Sequence, residues 1–495
     1  MTYKKRTWVV LTVIILGSLL TGASCSSLEA LGIVSKRPNV ILILTDDLDF
    51  TLMPHMKYTN ELIVQQGAEF TNYFVTSPLC CPSRASMIRG QYPHNTNILE
   101  NAPGFRNFFR NKFEEETVAV WLEQSGYETA LVGKYMNGYP VTAGDEYVPP
   151  GWTDWHVFFH HGPENDEGGY YFNYSMNENG ELVEYGYSPE DYSTDVLKQK
   201  SLSFLDQSIS SRDPFFLLIS TTAPHGPSIP APRHEGMLTE IEYPGKPSFL
   251  TEDINAKPAV VLEKATVPGE EFDIYDANAF YRNRAATLLA VDEMVLEIVQ
   301  ALEQTGQLEN TYIIFTSDNG FHMGEHNFSG GKGLPYTEDI NVPFFIRGPG
   351  IEPGTTVSHL TANIDLAPTI AEIAGAKIAD FVDGRSLIPL LQTQNASLPD
   401  WRNGLLVEAG YTNRDDARAL NFRSIRTTTF LYVEYFADGS IEFYDLVADP
   451  YERNNIAGSL DASVLASLHD WLEQLKTCKA DMCRTIEMIE GDFRQ

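Results

Sequence analysis

Three uninterrupted apolar segments, each followed closely by polar residues, constrain the fold of this chain more than any other feature. They are residues 40–44 (VILIL), 215–219 (FFLLI) and 312–315 (YIIF). Runs of this kind are typical of strands that are buried on both faces, as in parallel sheets. Two long segments with helical periodicity, residues 191–208 and 276–305, alternate with them. We therefore predict an α/β fold in which a large, mostly parallel sheet is flanked by helices.

The sequence changes in character after about residue 399. Short apolar segments follow one another, the Asp438-Gly439 pair is typical of a hairpin turn, and residues 462–476 have the period of a helix. This pattern predicts a small antiparallel sheet that is closed by a helix. We expect a main α/β domain over residues 38–398 and a C-terminal α+β subdomain over residues 399–495.

Two other regions give local predictions. Residues 54–69 have the pattern of an amphipathic helix. Residues 139–192 are rich in glycine, proline and aromatic residues, and residues 168–174 (GGYYFNY) are a candidate hairpin. Such an insertion over a sheet edge could build a substrate cleft, or it could equally be a packed excursion of the chain.

The N-terminus indicates export. Basic residues at positions 4–6 precede residues 8–20, which are almost wholly apolar, and small residues follow. This order is typical of a secretory signal peptide, which we assign to residues 1–24, with a linker over residues 25–37. An uncleaved membrane anchor is the alternative, although the apolar run is short for a membrane span. Cys25 would permit a lipid anchor.

The chain is strongly acidic, and this restricts its partners. It has 35 basic and 67 acidic residues, so its formal net charge is −32. A protein of this charge does not bind nucleic acid through a basic surface. It also repels polyanions at long range, so an anionic ligand would have to be recognised by a few cations in one pocket.

The cysteines fall into two pairs beyond Cys25. Cys478 and Cys483 are close enough to form a disulfide in an oxidising compartment, and two free thiols are the alternative. The other pair opens the sequence Cys80-Cys81-Pro82-Ser83-Arg84. It could be a vicinal disulfide, which is strained, a zinc site, which needs further soft ligands, or a pair of ordinary buried cysteines. A reactive loop at residues 77–95 fits the composition better.

The apolar segments end in side chains that can bind a cation or transfer a proton. Asp46 and Asp47 follow the first segment, His225 the second, and Asp318 and Asn319 the third. The carboxyl ends of parallel strands share one edge of a sheet, where sites form in open α/β folds. Oxygen ligands suit Ca²⁺, or Mg²⁺ less well, and histidine suits acid and base chemistry. A helix cap, a solvated turn or a structural histidine would be the non-functional alternatives.

These motifs resemble those of the type I sulfatases of the alkaline phosphatase superfamily. In that family the first cysteine of Cys-x-Pro-Ser-Arg, here Cys80, is oxidised to formylglycine (3-oxoalanine), whose hydrate is the nucleophile. By this resemblance the metal ligands are Asp46, Asp47, Cys80, Asp318 and Asn319. The catalytic residues it implies are Cys80, Arg84, Lys134, His225 and Lys332. The substrate-binding residues it implies are Lys134, His225, His322 and Lys332.

The resemblance also implies a mechanism. The hydrate at residue 80, stabilised by Arg84, would attack sulfur in line while His225 protonates the departing alcohol, with help from Lys332. The second hydroxyl would then expel sulfate and restore the aldehyde.

One position departs from the family pattern. Many arylsulfatases have a histidine two residues after the lysine of the Gly-Lys motif, where this chain has Met136. Asn137 or His322 would have to replace that histidine, so the base of the second step is open.

The closest resemblance is to the N-acetylglucosamine-6-sulfatases and the extracellular heparan endo-6-sulfatases. It is carried by residues 79–86 (LCCPSRAS), 133–137 (GKYMN), 149–152 (PPGW), 331–336 (GKGLPY) and 475–478 (LKTC). It implies a secreted, periplasmic or cell-surface sulfatase acting on 6-O-sulfate of N-acetylglucosamine or related sulfated glycans, such as a glycosaminoglycan. A formylglycine-generating or anaerobic sulfatase-maturating enzyme would be its partner. The alternatives are an arylsulfatase, a phosphodiesterase or phosphonate hydrolase of the same superfamily, and an inert sulfated-glycan-binding protein.

Overall fold

The structure is a computed structural model, and it describes most of the chain from residue 37 onward. The described residues are 37–159, 170–211, 213–250, 257–263, 265, 274–392, 398, 401–410, 420–491 and 493. The predicted signal peptide, the linker up to residue 36 and Cys25 lie outside them. Within the described residues, no helix is both long and apolar enough to cross a membrane.

Sixteen strands are formed by the described residues. They are β1 (Asn39–Asp46), β2 (Ala68–Phe70), β3 (Tyr73–Phe74), β4 (Glu128–Gly133), β5 (Asp154–Phe158), β6 (Ser175–Glu178), β7 (Glu181–Glu184), β8 (Phe215–Pro224), β9 (Thr311–Ser317), β10 (Phe344–Arg347), β11 (Thr355–Val357), β12 (Thr361–Ala362), β13 (Leu405–Ala409), β14 (Phe422–Arg426), β15 (Phe430–Tyr435) and β16 (Ile441–Asp445).

The α-helices of the same residues are α1 (Lys57–Thr59), α2 (Cys80–Arg89), α3 (Pro93–Thr96), α4 (Gly104–Arg110), α5 (Val118–Gln124), α6 (Ser193–Ser211), α7 (Ala259–Leu262), α8 (Ile274–Gln304), α9 (Thr337–Ile340), α10 (Leu366–Ala374), α11 (Ile388–Gln392), α12 (Ala462–Leu475) and α13 (Asp481–Ile486). Short 3₁₀ turns and one π-helical turn, Asn60–Val64, connect several of them.

The large sheet has ten strands in the order β11-β2-β10-β9-β1-β8-β4-β5-β6-β7. The five central strands β9, β1, β8, β4 and β5 run parallel to one another. Antiparallel pairs lie on both sides of this centre, where β10 pairs with β9 and β6 pairs with β5. The predicted α/β fold is therefore confirmed, as a mixed sheet with a parallel centre.

Strand β1 separates two hydrophobic cores. All eight of its residues are buried. Val40, Leu42 and Leu44 face the core that contains α2, α5 and α10, whereas Ile41 and Ile43 face the core that contains α6 and α8. This arrangement explains the uninterrupted apolar run, because a strand covered by helices on both faces has no position for a solvated side chain.

Two local predictions were wrong. Residues 54–69 do not form one amphipathic helix but a 3₁₀ turn, Phe50–His55, followed by α1, the π-helical turn and β2. Pro54 lies inside the 3₁₀ turn, and the Asn60 side chain donates to the carbonyls of Met53 and Met56 at 2.7 Å, so side-chain hydrogen bonds compete with a regular helix.

The hairpin that we predicted at residues 168–174 lies further along the chain in the structure. Residues 168 and 169 lie outside the described residues, and the hairpin is formed by β6 and β7 instead. Its two-residue turn is Asn179-Gly180, with φ of 54° and 93°. Asparagine and glycine tolerate this left-handed conformation, which matches the twist of the paired strands.

The C-terminal strands form a separate antiparallel sheet in the order β13-β14-β15-β16. Leu468, Trp471, Leu472 and Leu475 of α12 are buried. The disulfide between Cys478 and Cys483 is formed, as predicted. The division into domains at residue 398 stays a prediction.

Candidate active site

The carboxyl ends of β1 and β9 meet, because these strands are neighbours in the sheet. The Asp318 amide donates to the Thr45 carbonyl at 3.1 Å, and the Asp47 amide donates to Asp318 Oδ1 at 3.2 Å. The Asn319 side-chain amide donates to Asp47 Oδ1 at 2.6 Å. Asp46, Asp47, Asp318 and Asn319 are all buried. Two distant parts of the sequence therefore build one set of oxygen atoms.

The backbone at Asp47 is held in a left-handed conformation, with φ of 67°. Arg284, in the middle of α8, donates to the Asp47 carbonyl, and its Nη1 donates to Asp49 Oδ2 at 2.9 Å. Arg284 is fully buried. Its contacts stabilise a conformation that a residue with a side chain rarely adopts. Arg284 was missed from sequence.

Cys80 is the first residue of α2 and is 1% exposed. Its Sγ lies 3.5 Å from Asp46 Oδ1. Burial, together with the Asp46 carboxylate, raises the pKa of the Cys80 thiol to about 12. Cys80 and Cys81 are both free cysteines, so they do not form a vicinal disulfide. An unmodified thiol here is protonated at neutral pH, which makes it a weak nucleophile.

Arg84 lies one turn along α2 and connects three strands. Its Nε donates to Asp318 Oδ2 at 2.8 Å, and its Nη1 donates to Ser220 Oγ at 2.7 Å and to the Lys134 carbonyl at 2.9 Å. Its Nη2 is buried without a hydrogen bond, 3.9 Å from Asp46 Oδ2. One guanidinium donor therefore remains available beside Cys80.

Two lysines approach the same place from different segments. Lys134, after β4, forms an ion pair with Asp46, and Lys332 forms one with Asp47. Lys332 Nζ also lies 2.8 Å from Cys80 Sγ. Burial alone would lower the pKa of each lysine, but the facing aspartate raises it, so both lysines carry positive charge. We call Asp46, Asp47, Cys80, Lys134 and Lys332 the strand-end cluster.

His225 follows β8 and lies where the strand-end cluster opens to solvent. Its Nε2 is 3.7 Å from Asp47 Oδ2, and its side chain is 35% exposed. Its Nδ1 is 2.6 Å from the Gly226 carbonyl, and Tyr171 donates to the His225 carbonyl at 2.7 Å. Because Nδ1 donates to the Gly226 carbonyl, Nε2 is the nitrogen that faces the cluster.

The donor atoms fit a hard divalent cation. Asp46, Asp47, Cys80 and His225 each offer one atom within 4.8 Å of the others. Asn319 Oδ1 is buried without a hydrogen-bond partner. Buried carboxylate and amide oxygens are the ligands that Ca²⁺ prefers. Asp318 is not part of this group of four, and each of its two oxygens has a donor, since Oδ2 accepts from Arg84 Nε and Oδ1 accepts from the Asp47 amide.

His322 lies outside this group of four ligands. Its Nδ1 is 2.8 Å from Asp339 Oδ1, and its backbone exchanges two hydrogen bonds with Gly331, next to Lys332. Asn137, the other candidate for the missing histidine, is buried, and its Oδ1 has no partner among the described residues. Asp339 was also missed from sequence.

The aromatic residues before residue 160 form core rather than a cleft. Trp155 is fully buried and donates from Nε1 to the Tyr139 hydroxyl at 2.8 Å. Its ring lies 5.2 Å from that of Tyr135 and 5.9 Å from that of Trp152. This part of the insertion is a packed excursion. Tyr170 is closer to the site, since Lys134 and Asp46 influence its pKa, which burial raises to about 12.

A second, mostly buried group of ionisable side chains joins the two sheets. We call His326, Glu338, Glu452, Arg426 and Lys246 the interface cluster. Arg426 of β14 donates to Glu452 Oε1 at 2.6 Å, and Lys246 Nζ lies 3.3 Å from Glu338 Oε1. His326 Nε2 is 3.4 Å from Glu338 Oε2. The first residue of α9, Thr337, donates its amide to Glu452 Oε2 at 2.9 Å. The C-terminal sheet thereby holds the segment that carries Lys332.

Comparison with known protein families gives two matches. Residues 38–376 match the family described as Sulfatase. Residues 324–478 match the family described as N-sulphoglucosamine sulphohydrolase, C-terminal. The first match covers more than half of the chain and includes the whole strand-end cluster.

Curated relatives extend over nearly the whole chain. The human N-acetylglucosamine-6-sulfatase is 36% identical over 515 residues, which cover 96% of this chain and 91% of the human protein. The putative extracellular sulfatase Sulf-1 homolog of Caenorhabditis elegans is 38% identical over 391 residues, which cover 76% of this chain and 53% of that protein.

Solved structures share the fold. A protein in complex with its substrate D-glucosamine-2-N,6-O-disulfate is 25% identical, with a TM-score of 0.76, over 92% of this chain and 100% of that chain. The phosphonate monoester hydrolase of Agrobacterium radiobacter is 22% identical, with a TM-score of 0.67, over 89% of this chain and 95% of that chain.

Proposed function

The chain belongs to the sulfatase family and is a sulfuric ester hydrolase, and from this premise we propose that it removes the 6-O-sulfate of N-acetylglucosamine or related glucosamine units in sulfated glycans. The main support for this substrate is the 36% identity to the human N-acetylglucosamine-6-sulfatase along almost the entire length of both chains. The structural similarity to the glucosamine disulfate complex supports the same substrate class.

Three cations around Cys80 support the binding of one sulfate group. Lys134, Lys332 and Arg84 approach Cys80 or its neighbour Asp46 from three separate segments. On a surface as acidic as this one, such a local concentration of positive charge is what an anionic ester requires. We assign sulfate binding to the two lysines, and stabilisation of the reacting group at residue 80 to Arg84.

Cys80 is the residue that we expect to be converted to formylglycine. When residue 80 carries the aldehyde, one hydroxyl oxygen of its hydrate attacks sulfur and becomes sulfated. The other hydroxyl then loses its proton, and its oxygen re-forms the C=O bond and expels sulfate. The conversion requires a partner, which we propose to be a formylglycine-generating or anaerobic sulfatase-maturating enzyme.

His225 is the best placed residue to give a proton to the departing sugar hydroxyl. It borders the cluster, its side chain is 35% exposed whereas those of Lys134 and Lys332 are 10% and 13% exposed, and its Nδ1 is held by the Gly226 carbonyl. A histidine whose orientation is fixed at one nitrogen can donate a proton from the other. Lys332, next to Cys80, assists by its charge.

A bound cation would be held by Asp46, Asp47, the oxygen of residue 80 and Asn319, with Asp318 close by. The oxygen-rich donor set favours Ca²⁺ over Mg²⁺, which keeps more of its water ligands. When bound, the cation would supply positive charge that offsets the negative charge of a sulfate ester.

We also propose that the chain is exported and acts outside the cytosol. The predicted signal peptide, the disulfide between Cys478 and Cys483, and the similarity to extracellular sulfatases support this location. Periplasmic and cell-surface placement, and a lipid on Cys25, are finer proposals. The domains at residues 38–398 and 399–495 would be exported as one unit.

Product analysis on defined sulfated oligosaccharides tests the proposed substrate. We expect loss of sulfate from the 6-position of glucosamine units, with 2-O- and N-sulfates retained. Intact-mass analysis of the tryptic peptide that contains residue 80 must show the aldehyde in the active preparation. Brisk desulfation by a protein that carries only thiol there would contradict the role of Cys80. Faster cleavage of matched phosphate or phosphonate esters would favour the phosphodiesterase alternative.

A further inference from the structure

Asp339 is a junction between three segments that border the site. It is fully buried in α9. Its Oδ1 lies 2.8 Å from His322 Nδ1, and its Oδ2 accepts from the Leu334 amide at 2.8 Å. Its backbone carbonyl accepts from the Gly320 amide at 2.9 Å. One residue therefore ties the end of β9, His322 and the segment that carries Lys332 to one another.

His322 is held from a second side by Gly331. The amide of each residue donates to the carbonyl of the other at 2.9 Å. A methyl group on residue 331 would lie 3.4 Å from His322 Nε2, so the glycine keeps the space beside that nitrogen open. The Phe328 ring packs edge-on against the imidazole, with centroids 5.9 Å apart. The orientation of the His322 ring is thus set by several independent contacts.

The two nitrogens of His322 are in different situations. Nδ1 has Asp339 as its partner, and none of the described residues forms a hydrogen bond with Nε2. The His322 side chain is only 5% exposed, and Nε2 keeps a small contact with solvent. A carboxylate that accepts from one imidazole nitrogen fixes the tautomer and the direction of the other.

The position of His322 indicates what its Nε2 can reach. It pairs with Gly331, and the next residue, Lys332, has its Nζ 2.8 Å from Cys80 Sγ. Yet His322 does not belong to the group of Asp46, Asp47, Cys80 and His225, whose donor atoms lie within 4.8 Å of one another. A substrate with its sulfur at residue 80 would therefore meet His322 with the part of the molecule beside the sulfate.

We infer that Asp339 positions His322 so that Nε2 hydrogen-bonds a hydroxyl or amide oxygen of the sugar ring that bears the sulfate. Asp339 is the positioning residue, and His322 determines specificity between sugar sulfates and simple sulfate esters. The inference rests on the proposed sugar substrate. Nothing in it requires His322 to take part in bond breaking.

The test compares two substrates on the complete, matured enzyme. N-acetylglucosamine 6-sulfate carries the sugar, and 4-nitrophenyl sulfate lacks it. We expect Asp339→Asn and His322→Gln each to lower the ratio of kcat/KM for the sugar to that for the aryl ester about 10–100-fold, the range for lost orienting partners. The double variant should lose no more than either single variant, because the two residues act as one unit.

Asp383→Asn is the matched control. Asp383 is also a fully buried carboxylate, and it accepts from the amides of Tyr92 at 2.9 Å and Ala480 at 2.6 Å and from the Asn95 side chain at 2.8 Å, away from the site. It should lower stability as Asp339→Asn does and leave the substrate ratio unchanged. The aldehyde content of residue 80 is measured in every variant, so that incomplete maturation is corrected for.

The outcomes separate this inference from the proposed function. If the wild-type chain cleaves the aryl ester but not the sugar sulfate, the proposed substrate fails and the inference fails with it. If the wild type cleaves both and the variants lower both rates by the same factor, only the inference is overturned. Independent losses that multiply in the double variant overturn it as well. If Asp339→Asn does not fold, His322→Gln decides on the same ratio.

Discussion

The strand-end cluster and the interface cluster consist of the same types of side chain but have different roles. Each contains buried carboxylates that face a lysine or an arginine. In the interface cluster Glu452 accepts from Thr337 and Arg426, so its contacts connect one sheet with the other. In the strand-end cluster the lysines surround a thiol at the start of a helix, beside the partly exposed His225.

The difference teaches that buried charge alone does not identify a site. What distinguishes the strand-end cluster is its place at the carboxyl ends of parallel strands, its access to solvent and its reactive residue. Substitutions in it should therefore affect turnover more than stability, and substitutions in the interface cluster should do the reverse. The following predictions test that contrast.

The largest effect is expected for Cys80→Ala. Because this substitution removes the proposed nucleophile, kcat should fall by at least about 10⁴-fold, as for removed nucleophiles in other hydrolases. Steady-state kinetics on a sulfate ester measures the change. Cys81→Ala is the control, since Cys81 is equally buried and its amide donates to Asn101 Oδ1 at 2.9 Å. Equal losses in both variants would contradict a special role for Cys80.

Arg426→Met should act mainly on stability. It leaves Glu452 buried without its cation, which typically lowers the free energy of unfolding by about 3–5 kcal/mol. Denaturant unfolding measures the loss, and kcat of the remaining folded protein should change far less than in Cys80→Ala. Combining Arg426→Met with Glu452→Gln should restore part of the stability, because no unpaired charge remains. A double variant that is less stable than the single one would refute this explanation.

His225→Gln should lower kcat about 10²–10³-fold for a sugar sulfate, the contribution expected of a general acid. A phenolate leaves without help from a proton donor, so the loss should be smaller with 4-nitrophenyl sulfate. Comparing the two substrates under the same conditions checks this. An equal loss with both would indicate that His225 binds sulfate and does not donate the proton.

The smallest effect is expected for calcium binding to the strand-end cluster. Calcium at 100 times its Kd should raise the free energy of unfolding by about 2.7 kcal/mol. The increase should disappear in Asp47→Asn and persist in Glu338→Gln, which alters the interface cluster. Thermal unfolding with and without a chelator measures it. The assignment is wrong if the two variants behave in the opposite way.

Much of the fold could be predicted because buried strands and helices have characteristic patterns of apolar residues in the local sequence. The apolar runs of β1, β8 and β9 and the periods of α6 and α8 each identify an element without knowledge of the rest. The pairing of β10 was not predictable in the same way. It runs antiparallel to β9 because the residues between them form the Lys332 segment and the short helix α9, not a crossover helix.

The same distinction applies to the candidate site, where some residues could be predicted from their local sequence and others could not. Cys80 and Arg84 are separated by a fixed spacing, and Asp46 and Asp318 end apolar runs, so their sequence context marks them. Asp339 has no such context, since its side-chain partners His322 and Leu334 belong to segments outside the named helices and strands.

The position of Arg284 in the sequence could have been used to predict that it has a buried partner. It lies between Tyr281 and Leu288 on the buried stripe of α8, where an unpaired arginine is not tolerated. An arginine on such a stripe predicts a buried acceptor, which here is the Asp47 carbonyl together with Asp49. The identity of that acceptor requires the tertiary structure.

The burial of Cys80 restricts when this residue can be modified by another enzyme. With 1% of its surface exposed and the first turn of α2 packed around it, the thiol offers no path for another enzyme's catalytic group. If residue 80 is converted as proposed, the maturating enzyme would have to act on the unfolded chain, before Asp46 at the end of β1 and the segment with Lys332 assemble beside the thiol. Under this proposal, a molecule that folds before the conversion would keep a buried thiol at residue 80 and would remain inactive.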